Sequence, residues 1–194
     1  MKYYLPEFYR RLKRGPQVIL PKDIGIILTY TDLNKDSICL DIGTGSGWLA
    51  LTLARFCKHV DSFDINEEHL EIAKRNASRL DIKNIDFYLK DLTKERLDNR
   101  QIYDLATFDI PSAADALLNI KDSLKDNAYL AFYMPNIDQI KELYIKIKDM
   151  IKDQICLEII DREILLREKG VRPVNYGIMH TGYILIARLS TPPC

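Results

Sequence analysis

Four acidic residues punctuate this 194-residue chain where strands are expected to end: Asp41, Asp64, Asp91 and Asp109. The first opens the segment Asp41-Ile42-Gly43-Thr44-Gly45-Ser46-Gly47, which has glycine at three alternate positions. Glycine lets a backbone adopt positive φ and come close to a ligand, and a helix that starts after such a loop offers unpaired N–H groups. Strand, loop and helix together make a cradle for a nucleotide-like ligand. A plain turn does not need three glycines. Any one of the acids alone reads most simply as a solvated strand end. Their joint placement at the carboxyl ends of successive strands, where open α/β sheets bind ligands, points to a shared site.

Two ligands compete for that cradle. A dinucleotide fingerprint requires G-x-G-x-x-G, and here its third glycine position holds Trp48. Asp41, immediately before the loop, is poorly suited to a pyrophosphate but suits a cationic amine. S-adenosylmethionine carries an amine and a sulfonium and no phosphate. On this reading Asp64, 23 residues after Asp41, accepts from the ribose hydroxyls. Asp91 and the Leu92 backbone meet the adenine edge, and Ile65 packs on its face. Gln17 and Ile19 close over the methionine part.

The elements that must position these residues follow from hydrophobic period and caps. Residues 20–33 read as a short helix with Pro21 in its first turn. Residues 37–42 read as a strand, and 47–57 as a helix with Leu49, Leu53 and Phe56 on its apolar face. A strand over 59–65 precedes a helix that Asn66 caps and that runs to about Leu80, with Glu67 and Glu68 favoured in its first turn by the helix dipole. Strands are expected at 85–91, 103–110 and 128–135. Ser112 caps a helix over 113–124, and Asn136 caps another to about Lys152, where Leu143, Ile147 and Ile151 form a core-facing stripe. Beyond it, 155–166 and 180–189 read as two strands with no helix between them, hence antiparallel. The fold class is α/β: a mostly parallel twisted sheet with helices on both faces and an antiparallel C-terminal strand pair. Residues 1–20 read as an N-terminal extension with a basic cluster, 21–189 as the domain, and 190–194 as a loose tail.

The segment Asp41–Gly47 resembles the D/E-x-G-x-G-x-G motif of the Rossmann-like class I S-adenosylmethionine-dependent methyltransferases. Three further segments resemble the catalytic domain of the tRNA (adenine-N1)-methyltransferases: Pro21-Lys22-Asp23, Tyr133-Met134-Pro135-Asn136-Ile137-Asp138-Gln139 and His180-Thr181-Gly182. The resemblance runs from about Arg14 to Leu189. It implies a methyltransferase that modifies N1 of an adenine in the tRNA T loop, with Asp109 as its catalytic acid and also in contact with the cofactor. It further implies a homo-oligomer. The chain departs from the family in three ways. The family's N-terminal β domain has no counterpart ahead of Arg14. Leu20 stands where the family often has Tyr. The segment after Asp109, Ile110-Pro111-Ser112, lacks the family's Trp.

Adenine N1 has a free lone pair, so methylation there needs alignment and stabilisation of a growing positive charge rather than a strong base. A carboxylate at Asp109 suits that task and can accept from the adenine amino group. His180, at a strand start, reads as structural. The whole chain balances 28 basic against 28 acidic residues, so no overall basic charge points to nucleic acid. Locally, residues 1–22 hold six basic residues against one acid, with Arg10, Arg11, Lys13 and Arg14 at their centre. Arg162, Arg167, Lys169 and Arg172 cluster near the other end, beside Tyr176, a candidate for stacking on a base. Arg10, Arg11, Lys13, Arg14, Arg172 and Tyr176 form the expected RNA rim. Widely spaced cysteines and the lack of an apolar N-terminal run imply reduced thiols, a cytoplasmic location, no membrane and no metal. Two other functions fit parts of the pattern. One is a methyltransferase of the same fold acting on a small molecule such as a corrin precursor. The other is a non-catalytic RNA-binding subunit.

Overall fold

The computed structural model describes residues 4–15, 17–98, 100–174 and 180–190. In chain order the elements are α1 (Glu7–Arg11), α2 (Pro21–Tyr30), β1 (Ile38–Ile42), α3 (Trp48–Ala54), β2 (His59–Asp64), α4 (Glu67–Arg79), β3 (Ile85–Leu89) and β4 (Tyr103–Phe108). There follow α5 (Ala113–Ile120), β5 (Leu124–Met134), α6 (Ile137–Ile147), β6 (Ile151–Glu158), β7 (Ile164–Arg167), β8 (Gly170–Pro173) and β9 (Tyr183–Leu189). Seven strands form one sheet in the order β3-β2-β1-β4-β5-β9-β6. β1 to β5 are parallel, and β9 runs antiparallel between β5 and β6. The strand order reverses between β1 and β4. That reversal opens a crevice at the carboxyl ends of the two strands.

Alternate residues of each strand feed two cores. On one face Leu40, Ile42, Phe108 and Phe132 pack with Leu117, Ile120, Leu143 and Ile147 of α5 and α6. On the other, Cys39, Val60, Leu105 and Ile186 pack with Ile24, Ile27, Leu51 and Leu53 of α2 and α3. Tyr9 and Leu12 join this second core, so α1 is docked, and Tyr9 OH lies 3.0 Å from Thr52 Oγ1. Five residues are too few for a helical period to show in the sequence, and α1 escapes that reading.

Pro21 is the first residue of α2, and Asn66 caps α4 by accepting from the Glu68 and His69 amides. Ser112 and Asn136 precede their helices but make no capping bond to the backbone. Several expected boundaries move. α3 ends at Ala54, and Phe56 lies beyond it, 48% exposed. α5 ends at Ile120, so β5 starts four residues before Ala128. α6 ends at Ile147, and after one 3-10 turn Ile151 already begins β6, still buried. Residues 155–166 are not one strand. β6 stops at Glu158, and Ile164–Arg167 turns back on Gly170–Pro173 as a separate hairpin. In the tail, Ser190 is bonded to Met150 O at 2.8 Å, and 191–194 lie outside the described residues.

Candidate active site

β1 delivers the glycine loop to the crevice. Gly43, Gly45 and Gly47 all have positive φ, at 97°, 52° and 83°. Gly43 is also sterically required: a Cβ there would meet Asp109 O at 2.5 Å, because the ends of β1 and β4 press together. The Gly43 and Thr44 amides donate to Phe63 O, and the Gly45 amide donates to Asp64 Oδ2 at 2.8 Å. The loop thus hangs from the end of β2 and leaves a cavity of about 500 Å3 on its outer side.

Gln17, Gly43, Gly45, Ser46, Asp64, Ile65, Asp91, Leu92 and Asp109 all line this cavity. Asp41 does not. It is 1% exposed beneath the loop, where Ser62 and Thr107 hydroxyls donate to its two oxygens, each at 2.7 Å. The direct contact with a ligand amine expected of Asp41 is therefore replaced by support of the loop from below. Thr44 is likewise turned inward, 2.6 Å from Ser62 Oγ, and Gly47 caps α3 away from the cavity wall. Ile19 is buried in the second core and does not close over the site.

Each lining acid has a different environment. Asp64 accepts from the Gly45 and Asn66 amides, and His69 Nδ1 lies 3.5 Å from its Oδ2. Asp91 accepts from the Thr93 amide and hydroxyl and pairs with Lys94 at 2.8 Å. Lys94 first, then Thr93, hold its carboxyl below the usual range. Asp109 has no side-chain partner among the described residues. Its side chain is exposed to the open cavity. The protein packed around it, then Asp41, then Asp64 push its carboxyl up to about 7. Water in the open cavity screens part of that effect. Burial also pushes Asp41 up to about 6, against its two hydroxyl partners and with Asp64 adding to the rise.

The sequence did not single out Gly15, His69, Ile72, Lys90, Thr93 or Ile110 as lining residues. Gly15 belongs to the strap that leaves α1 and reaches the cavity wall. Asn76, fully buried, accepts from the Lys13 amide and donates to both Lys13 O and Ser46 O, tying strap to loop. The nearest sequence signals were the Asn66 cap, which sets the first turn of α4 and so His69, and the Asp-x-Thr spacing at 91–93.

A second cluster joins the three segments singled out around Asp23, Tyr133 and Thr181. Lys22 Nζ donates to Asp23 Oδ1, Thr181 Oγ1 and Ile159 O. Thr181 in turn donates to Asp23 Oδ2 at 2.8 Å, and its carbonyl accepts from Tyr133 OH at 2.7 Å. A Cβ at Gly182 would fall 2.5 Å from the Tyr133 ring. Burial, with Asp23 next, pushes the Tyr133 hydroxyl up to about 12. His180 is a link rather than a base: its ring nitrogens meet Glu158 Oε1 at 2.7 Å and Pro135 O at 3.0 Å. Both partners are acceptors, which favours the doubly protonated ring and raises its pKa.

The basic residues are divided between elements. Arg10, Arg11, Lys13 and Arg14 lie on α1 and its exit. Arg10 pairs with Glu7, and Arg11 donates to Arg79 O. Arg172 is exposed on β8. Tyr176 lies outside the described residues.

A sulfonium cofactor fits this cavity on two grounds internal to the chain. Ser46 Oγ is buried with no hydrogen-bond partner among the described residues, an unspent group on the wall. The acids Asp64, Asp91 and Asp109 outnumber the wall's lysine, Lys90, which favours a cationic ligand over a phosphate.

The family description "Methyltransferase domain" matches residues 33–169. The tRNA (adenine(57)-N(1)/adenine(58)-N(1))-methyltransferase TrmI of Methanocaldococcus jannaschii is 30% identical, over 96% of this chain and 77% of its own. The crystal structure of the tRNA (m1A58) methyltransferase TrmI of Aquifex aeolicus superposes with a TM-score of 0.90 at 26% identity, covering 97% of this chain and 78% of its own. The probable cobalt-precorrin-6B C(15)-methyltransferase of Methanocaldococcus jannaschii is 29% identical over 68% of this chain and 70% of its own. The chain belongs to the methyltransferase-domain family, in its class I, S-adenosylmethionine-dependent form.

Proposed function

We propose that this chain methylates N1 of an adenine in tRNA, at a T-loop position equivalent to 58, in the cytoplasm. The observation that carries the reading is the Asp109 carboxylate, without a side-chain partner among the described residues, at the end of β4 on the cavity wall. The convergence of the Lys22-Asp23, Tyr133 and Thr181 segments beside it and the TrmI relatives add support.

The cofactor, when bound, supplies a methyl group on a cationic sulfur that an incoming lone pair can displace. Asp64 accepts from its ribose hydroxyls, Ser46 donates to its polar tail, and Ile65, Asp91 and Leu92 hold its adenine. Asp109 accepts from the exocyclic amine of the target adenine and so aligns N1. Its negative charge then meets the positive charge that grows on the ring, in a place already shaped for it. No residue has to remove a proton from N1. Asp41, through Ser62 and Thr107, keeps the loop in its cradle shape.

The α1 basic residues and Arg172 serve as phosphate contacts, so RNA binding weakens steeply with salt. The exposed hairpin supports a homo-oligomer. Ile164, Leu166, Val171 and Pro173 share one face of β7–β8 by register, and an isolated two-stranded hairpin is poorly stable in water. The cobalt-precorrin relative favours a small-molecule acceptor as the second reading. The test is labelled cofactor with bulk tRNA, followed by nucleoside analysis. Label in 1-methyladenosine supports the proposal. Salt-insensitive transfer to a small metabolite, with none to RNA, overturns it in favour of the second reading.

A further inference from the structure

β2 carries a second chemical grouping that the cavity does not use. His59 and Asp61 alternate along the strand and share a face, and Asp86 of β3 is the in-register partner of Asp61. His59 Nε2 lies 3.2 Å from Asp61 Oδ1 and 3.4 Å from Asp86 Oδ2. One donor atom from each of the three residues lies within 4.8 Å of the others. Two carboxylates directly opposed across strands repel each other. Among the described residues neither forms an ion pair with Lys or Arg; their shared neighbour is the imidazole.

We propose that His59, Asp61 and Asp86 bind a divalent transition-metal ion of the zinc type. One imidazole nitrogen and two carboxylate oxygens match the ligand preferences of such ions, with water completing the shell. The remaining oxygen of Asp61 is held by Tyr103, whose hydroxyl donates to Oδ2 at 2.7 Å and leaves Oδ1 turned to His59. That is the outer-shell support that orients a metal-ligating carboxylate. All three ligands stand on paired strands, which hold them in place better than loops do. The ion's charge neutralises the two carboxylates. Among the described residues β3 is the edge of the sheet and pairs with β2 alone, so the ion ties it to its neighbour. None of the three ligands lines the methyl-transfer cavity, so the ion is a staple of the fold and not a participant in the chemistry.

The test is titration of tag-free protein with Zn2+, followed by calorimetry and melting temperature, with Co2+ as a spectroscopic substitute. One equivalent is expected to bind in the micromolar range. At a hundredfold excess over Kd the melting temperature rises by about 5–10 °C. His59→Gln and Asp86→Asn each weaken binding by about tenfold or more, and Tyr103→Phe by about tenfold, the scale for losing outer-shell support. Cofactor affinity stays unchanged in the His59 and Asp86 variants. The proposal is overturned if no saturable uptake occurs below about 1 mM, or if uptake survives in the His59→Gln/Asp86→Asn double variant, which would place the ion elsewhere, as on the exposed thiol of Cys156.

Discussion

Replacing Lys22 by Ala tests whether the cluster that joins the chain's ends is a structural clamp. The Lys22 side chain is 7% exposed and that of Asp23 is fully buried. Removing the ammonium strips Asp23 Oδ1, Thr181 Oγ1 and Ile159 O of one shared donor and leaves a carboxylate in a dry site. Loss of one member of a buried pair costs about 3–5 kcal/mol. For a domain of this size each kcal/mol lowers the melting temperature by about 2–4 °C, so a drop of about 6–20 °C is expected. Lys22→Met combined with Asp23→Leu removes both charges and fills similar volume, and recovers most of that loss. Cofactor affinity changes little at a temperature where the variant is folded, because neither residue lines the cavity. The assay is thermal denaturation with calorimetric cofactor binding on all three proteins. A Lys22→Ala loss below about 1 kcal/mol, the range of an exposed pair, would refute the clamp. So would a double variant no more stable than the single.

Asp64→Ala should weaken S-adenosylmethionine binding by about 1–3 kcal/mol in calorimetry, the scale for hydroxyls left without partners. Asp109→Asn should keep the fold and weaken cofactor binding less than Asp64→Ala does, but lower turnover by about a hundredfold or more in a labelled-methyl assay. With the Asp109 carboxyl raised to about 7, kcat/KM of the native enzyme should climb as pH rises towards that value, and the variant should lose that limb. The raised carboxyl of Asp41 binds its proton more tightly in the folded state than in the unfolded chain. Stability should therefore be fullest below about pH 4 as far as this group is concerned, and fall as pH rises to about 6. Melting curves across that range check the sign, with Asp41→Asn showing a flatter dependence. His180 has the same sign at higher pH. Its raised pKa adds stability below 6.5 that is lost as pH rises through the folded value, readable from its ring resonances.

The strand–loop–helix alternation and the acids at strand ends were legible in the sequence because each depends on short-range rules. Apolar period marks the elements, positive φ requires glycine at 43, 45 and 47, and the carboxyl ends of parallel strands are where a sheet of this kind binds its ligand. The antiparallel relation of β6 and β9 was equally legible, because no crossover helix separates them. Which acids enter the cavity was a tertiary matter. Asp41 withdraws because Ser62 of β2 and Thr107 of β4, its in-register neighbours on either side, offer it two hydroxyls. The register that supplies them cannot be seen in one strand. The same holds for Asp61 and Asp86, which become opposed only when β2 and β3 pair. Thr181 bonds Asp23 across 158 residues, a contact to which no local pattern corresponds. α1 and the β7–β8 hairpin are too short for periodicity to register. A sequence carries its local preferences openly. Burial, register and the partners of a charged group belong to the packed chain, because they are set by neighbours that only folding brings together.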